Sequence, residues 1–218
     1  MDSIDEYTGF VTTGSKFDAH ADDPWILQLC QALKTFAPYE QEDSGHMPRP
    51  PGKKSMHHTQ GDRVLARTLG GSTGRAPIGF NLGLTIANLN TKRIKELFGL
   101  ELTSQVNVIK IHQDQVMRLP PDALILGSSK KTGVEMFSIG NNILGIQFHP
   151  EFTKDFAREI TNYLLMHSKI SAEIARDSIQ SLEQAVMDQF VINKLCKTFL
   201  KGHPKSSLTT AFTSEHEA

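Results

Sequence analysis

Two residues in this sequence are spaced for proton transfer: His149 and, two positions on, Glu151, in the stretch NILGIQFHPEF. In an extended backbone, side chains at i and i+2 project to one face, so imidazole and carboxylate become neighbours if the strand geometry runs on through Pro150. Imidazole is the side chain best suited to move protons near neutral pH, and a carboxylate on its other nitrogen fixes the tautomer and steadies the imidazolium. The pair reads as a general base and its orienter. The competing reading is a turn or capping histidine before Pro-Glu.

The elements that must deliver this pair can be followed along the chain. Ile143, Leu144, Ile146 and Phe148, after the turn-like Gly140-Asn141, predict a buried strand that ends at the histidine. Upstream, YTGFVTT (7–13) predicts a strand stopping at Gly14-Ser15, a turn whose backbone amides are free to hold an anion. Asp23-Pro24 opens a helix with Ile26, Leu29 and Leu33 at helical spacing, and Trp25 and Cys30 belong to it. Cys30 reads as a core or half-buried thiol, since nothing beside it lowers its pKa. VLARTL (64–69) before Gly70-Gly71 reads as the end of a helix with a glycine cap. Residues 79–88 read as one or two strands, and Asn90 or Thr91 caps a short helix ending at Gly99. Residues 106–111 form a strand that runs into His112-Gln113-Asp114, with a Leu119-Pro120-Pro121 turn after it. Strands over 123–127, 134–139 and 143–148 follow in close succession. A helix after Glu151 carries Phe156, Ile160, Tyr163 and Leu164 on one stripe, and a second helical region runs from about 171 to 200. Alternating elements early and clustered strands late predict an α/β domain with a mixed sheet and a C-terminal helical extension, divided at 167/168. With the strand at 7–13 arriving so soon, the N-terminal end of that sheet is expected to be incomplete.

Composition narrows the class. The 218 residues, 39% hydrophobic, are enough to bury a core, and 23 basic against 24 acidic residues leave a formal charge of −1. No charged stripe suggests nucleic acid, and no apolar run approaches a membrane span or signal-peptide core. Two distant cysteines, Cys30 and Cys196, fit a soluble protein of a reducing compartment, the cytoplasm.

Residues 38–63 do not match the rest. Their sizeable apolar side chains are Tyr39, Met47 and Met56, and Pro48, Pro50 and Pro51 forbid regular structure. His46, His57 and His58 lack a Cys partner and helical spacing, so a solvated loop is the better reading than a metal site.

The pieces GFVTTGS, DDPWILQL, ARTLGGSTGRA, IHQDQV with RLPPDA, VEMFSIG and ILGIQFHPEF, in that order, resemble the class I glutamine amidotransferase-like family. Within it the sequence is most similar to stand-alone γ-glutamyl-peptidase-like and fungal amidotransferase-like proteins. The resemblance implies a flavodoxin-like mixed sheet flanked by helices. It implies that His149 is the base serving a cysteine nucleophile, that Glu151 orients it, and that the backbone near Gly14 and Ser15 belongs to the oxyanion hole. His112 would border the pocket, with a structural role in its turn as the alternative. The implied partner is a small γ-glutamyl substrate, glutamine or a γ-glutamyl peptide or conjugate, without metal or organic cofactor, nucleic acid or membrane. Oligomeric state is left open.

The nucleophile is missing. The family's Gly-x-Cys-x-Gly-His-Gln is due where residues 38–63 stand, and a forced alignment puts Thr59 on the cysteine, with Ser55-Met56-His57-His58 as a strand too polar to be buried. A threonine hydroxyl is a far weaker nucleophile than a thiolate. Reading the codons from Pro38 one nucleotide later turns Met47-Pro48 into TGC, cysteine, whatever the third bases are. The same shift permits the string PTNKKILGICHGHQ over residues 38–51. Residues 38–63 are therefore expected to be a frame or splicing artefact, with the ordinary protein resuming at Val64. Two functions follow: a cysteine hydrolase of γ-glutamyl amides with its nucleophile segment disrupted here, or an inactive homologue that binds or regulates.

Overall fold

A computed structural model describes residues 9–14, 17–36, 54–58 and 60–202. Its elements, in chain order, are β1 (Gly9–Thr12), α1 (Pro24–Phe36), β2 (Lys54–His58), α2 (Gln60–Thr68), β3 (Ser72–Arg75) and β4 (Asn81–Leu89). There follow α3 (Thr91–Phe98), β5 (Gln105–His112), β6 (Asp114–Arg118), β7 (Ala123–Ser129), β8 (Gly133–Ile139), β9 (Ile143–Ile146), α4 (Lys154–Met166), α5 (Ala172–Gln184) and α6 (Gln189–Lys201). Seven strands form one sheet in the order β1-β2-β9-β8-β7-β4-β5, and β3 with β6 makes a separate ribbon. β1, β2 and β9 are parallel and the remaining pairings antiparallel, which is the mixed α/β sheet expected.

Alternation along the strands sorts side chains onto two faces. Met56, Met136, Leu144 and Ile146 share one apolar cluster with Ile192, Leu195, Cys196 and Phe199 of α6. Phe137 and Ile143, on the other face, join Ile26 and Leu33 of α1 and Val64, Leu65 and Ala66 of α2. Gly145 in β9 lies opposite Phe137, and a Cβ there would sit 2.3 Å from the Phe137 ring, so the apolar strand needs a glycine for that ring to lie flat against it. α5 packs against β4 at Gly83, whose φ of +90° and whose contact with Ser181 both exclude a side chain.

Four expectations change. Ser55–His58 is not too polar to join the sheet: Lys54–His58 pairs with β1 on one side and β9 on the other, and Met56 is buried. Two parallel neighbours satisfy its backbone groups on both edges, which outweighs an unfavourable side-chain pattern. Order returns at Lys54, not Val64, with β2 ahead of α2. The ribbon β3–β6 has no alternating apolar pattern to announce it. The helical region 171–200 is broken into α5 and α6, because Asp188 leaves the helix to bond β5: Asn107 N donates to its Oδ2 (2.7 Å), and its own N donates to Asn107 O (3.1 Å).

Candidate active site

β9 sets up the site. Beyond Ile146, Gln147 is fully buried and held at three points: its N donates to Glu135 O (2.8 Å), its Oε1 accepts from Val116 N (3.0 Å) and its Nε2 donates to Val134 O (2.7 Å). His149 N then donates to Ile109 O of β5 (2.8 Å), so the sheet curls until its far strand meets this turn. His149 is buried, and its Nδ1 lies 2.9 Å from Glu151 Oε1. Imidazole and carboxylate are thus within hydrogen-bonding distance, but through a turn: β9 ends at Ile146, and the strand expected to reach the histidine and run on through Pro150 does not do so. Nε2 stands 3.5 Å from Ile111 O. The Phe152 ring lies against the imidazole with centroids 3.8 Å apart and planes 9° off parallel.

His112, at the end of β5, is buried, and neither of its ring nitrogens has a well-formed hydrogen bond among the described residues. Burial holds its pKa well below the ordinary histidine range. Arg63, Lys110 and His149 add to that effect, and the Asp114 backbone opposes it weakly. The ring is thus held neutral, and the carbonyl of its chain neighbour Ile111 lies 3.5 Å from His149 Nε2. Two residues earlier, Lys110 is fully buried and donates to Ser129 Oγ (3.2 Å), to Thr132 Oγ1 (2.7 Å) and to the Glu135 carboxylate. Burial lowers the lysine's pKa and Glu135 holds it up.

β2 and β9 run parallel, with His58 opposite Ile146, so the β2–α2 junction and His149 leave the sheet at the same edge. Thr59 lies outside the described residues, as does Ser15. Gly14 is exposed just past β1. The end of β1 presses on the first turn of α2: a Cβ on Gly61 would meet Thr12 O at 2.8 Å. This is the close backbone approach that a strand-to-helix elbow requires.

That first turn carries charges the site does not accommodate. Asp62 is fully buried and Arg63 nearly so. Neither carboxylate oxygen of Asp62, nor Nε and Nη2 of Arg63, has a well-formed hydrogen bond among the described residues. Burial pushes the Asp62 carboxyl well above the usual carboxylate range. Arg63 and nearby backbone amides pull against this, and Glu135 adds to it. Burial likewise lowers the Arg63 guanidinium, against the attraction of Asp62, Asp114 and Glu135. Sequence reading missed Asp62, Arg63, Lys110, Glu135 and Phe152; a lysine in the middle of an otherwise apolar strand was the signal available for the Lys110–Glu135 pair.

The two cysteines are elsewhere. Cys196 is on α6 with its thiol pushed up to about 12, chiefly by burial and slightly by Glu151. Cys30 is half-buried on α1. No group of three or more His, Cys, Asp and Glu side chains among the described residues is placed to hold a metal ion.

Comparison with known proteins places this geometry. The family described as Glutamine amidotransferase class-I matches residues 61–162. Gamma-glutamyl peptidase 3 of Arabidopsis thaliana is 38% identical over 203 residues, covering 91% of this chain and 76% of that protein. Gamma-glutamyl peptidase 5 of the same plant is 35% identical over 201 residues, covering 91% and 75%. Among solved structures, a glutamine amidotransferase of Thermotoga maritima superposes with a TM-score of 0.68 at 21% identity, over 91% of this chain and 79% of its own. The last of these likenesses speaks to the fold.

Proposed function

The chain belongs to the class I glutamine amidotransferase family, and from that membership we propose that its site is built to hydrolyse a γ-glutamyl amide or peptide through a cysteine thioester, with the nucleophile segment interrupted in this sequence. The observation that carries the reading is the His149–Glu151 pair, 2.9 Å apart, at the sheet edge where β2 turns into α2.

In the uninterrupted protein a cysteine at that turn would lose its proton to His149 and attack the γ-carbonyl carbon. Backbone amides near Gly14 and Ser15 would receive the developing oxyanion. The imidazolium would return the proton to the departing amine, and His149 would then deprotonate the water that cleaves the thioester. Glu151 holds the tautomer throughout. His112, neutral and close to His149, would border the substrate. None of these steps draws on a metal or organic cofactor.

In this sequence a thiol is not available for that role. The junction residue is Thr59, Cys30 lies within α1 and not at that turn, and the Cys196 thiol is buried with a raised pKa, hence not a thiolate at neutral pH. The Asp62 carboxylate oxygens and the Nε and Nη2 of Arg63, without well-formed partners among the described residues, support the view that 38–63 is a misread stretch, because the shifted frame ends in the neutral His-Gln and the ordinary protein is expected to resume at Val64. A second reading, a homologue that binds γ-glutamyl compounds without cleaving them, is favoured by β2 itself, which pairs on both edges as written. Under either reading residues 1–167 are the ligand-handling unit, and 168–218, with α5 and α6 on the sheet, complete it. No helix among the described residues is long and apolar enough to cross a membrane; a cytoplasmic site of action is part of the proposal.

Sequencing the native transcript across the codons for Thr35 to Arg67 tests the interruption. Recovery of Gly-Ile-Cys-His-Gly-His-Gln supports the hydrolase; a spliced message encoding the proline-rich run as written supports the binding homologue.

A further inference from the structure

We infer that Phe152 is a positioning residue for the His149 base, an inference that rests on the reading of His149 and Glu151 given above. A proton is transferred along a nitrogen lone pair, in the plane of the imidazole, so a base must have its place, its direction and its plane all fixed. The backbone bond from His149 N to Ile109 O fixes the place. The Nδ1 bond to Glu151 Oε1 fixes one direction in the ring. A single hydrogen bond still allows the ring to pivot about the line joining its two atoms. The face of Phe152, 3.8 Å away and 9° from parallel, opposes that pivot.

Phe152 is itself braced. Phe156 meets it edge-on, with centroids 4.6 Å apart and planes at 75°. Phe156 is held in turn by the start of α4, where its amide donates to the Oγ1 of the N-cap Thr153 (3.2 Å). Edge-on contacts of this kind favour defined ring orientations beyond simple burial. Phe152 also packs against a cluster containing Ile109, Ala157, Leu182 and Met187. The cap of α4, Phe156, Phe152 and His149 thus form a line of contacts from a helix terminus to the base. Phe152 acts on the reaction through the plane of the imidazole.

The whole chain, labelled with 13C,15N-histidine, tests this by NMR in the absence of any substrate, with His149→Asn giving the assignment. In the parent, the His149 ring protons are expected to be shifted by the stacked phenyl ring, and its ring nitrogens to report one tautomer with the proton on Nδ1. Phe152→Leu is expected to abolish that ring-current shift and to lower the 13C order parameters of the His149 Cδ2–Hδ2 and Cε1–Hε1 bonds, with the Nδ1–H tautomer kept by Glu151; Phe152→Tyr is expected to preserve the shift and the ring order. A folded Phe152→Leu protein with unchanged His149 ring order parameters overturns the inference. If that variant does not fold, Phe156→Leu decides: lowered His149 ring order supports the brace, and unchanged ring order overturns it. Glu151→Gln separates the two layers. Altered ring nitrogens in that variant uphold the base–orienter pair whatever Phe152 does, whereas unchanged ones sink the pair itself.

Discussion

Replacing Asp62 with asparagine is expected to stabilise this protein near neutral pH, contrary to the usual effect of changing a fully buried residue. Asp62 has no exposed surface and no well-formed hydrogen bond on either carboxylate oxygen among the described residues. Burial raises its pKa well above the ordinary value of about 3.9. The folded state therefore holds the proton more tightly than the unfolded chain. The carboxyl's contribution to stability is fully present below the unfolded pKa and is lost as pH rises through the folded one. Each unit by which the folded pKa exceeds the unfolded one removes about 1.4 kcal/mol at higher pH. For a chain of this size, each kcal/mol corresponds to about 2–4 °C in Tm. Asparagine keeps the shape and abolishes the titration, and Arg63 still has Asp114 and Glu135 within electrostatic reach. Urea unfolding of both proteins from pH 4 to pH 8 measures the effect. The difference is expected to be smallest at the acidic end and to grow in favour of Asp62→Asn towards neutrality. A difference independent of pH, or one that favours the parent at pH 7.5, would refute the reasoning.

Three further outcomes follow from other buried groups. Glu135→Gln leaves the Lys110 ammonium buried without its counter-charge and is expected to cost about 3–5 kcal/mol in urea unfolding, whereas the double replacement Lys110→Met/Glu135→Leu costs less than either single change. Gly145→Ala puts a methyl group 2.3 Å from the Phe137 ring and is expected to destabilise by about 1–3 kcal/mol, with part recovered by adding Phe137→Leu. His112 titrates in the opposite sense to Asp62: its folded pKa is depressed, so its contribution is present above about 6.5 and is lost as pH falls below that value. His112→Asn should flatten that part of the stability profile, and an unaltered acid limb would show that His112 is not the group responsible.

What could be read from the sequence depended on whether the deciding interaction was local. His149 and Glu151 are two residues apart, so a local turn after β9, not the continued strand that the spacing suggests, is enough to bring them together. The helices α1 and α3 begin at Asp23-Pro24 and Asn90-Thr91, and α3 stops at Gly99, whose φ of 65° needs a glycine. Elements fixed by distant partners were not legible. Lys54–His58 is a strand because β1 and β9 flank it, and nothing in KSMHH says so. The break before α6 is imposed by Asn107, 81 positions from Asp188, while the apolar stripe runs on through it. Lys110 is tolerated in an apolar strand because Glu135, Ser129 and Thr132 converge on it from β7, β8 and the turn between them. The stacking of Phe152 on His149 needs a turn whose shape comes from β5.

The claim that this is a cysteine hydrolase site with an interrupted nucleophile is tested most directly by covalent labelling with a diazoketone analogue of glutamine, read by intact and peptide mass. Two proteins are compared: this chain, and one in which residues 38–63 are replaced by PTNKKILGICHGHQ. One adduct on the restored cysteine, absent from this chain and lost when His149 is replaced by asparagine, is the predicted result. A folded, restored protein that takes up no label, or an adduct of equal yield on this chain, would contradict the account.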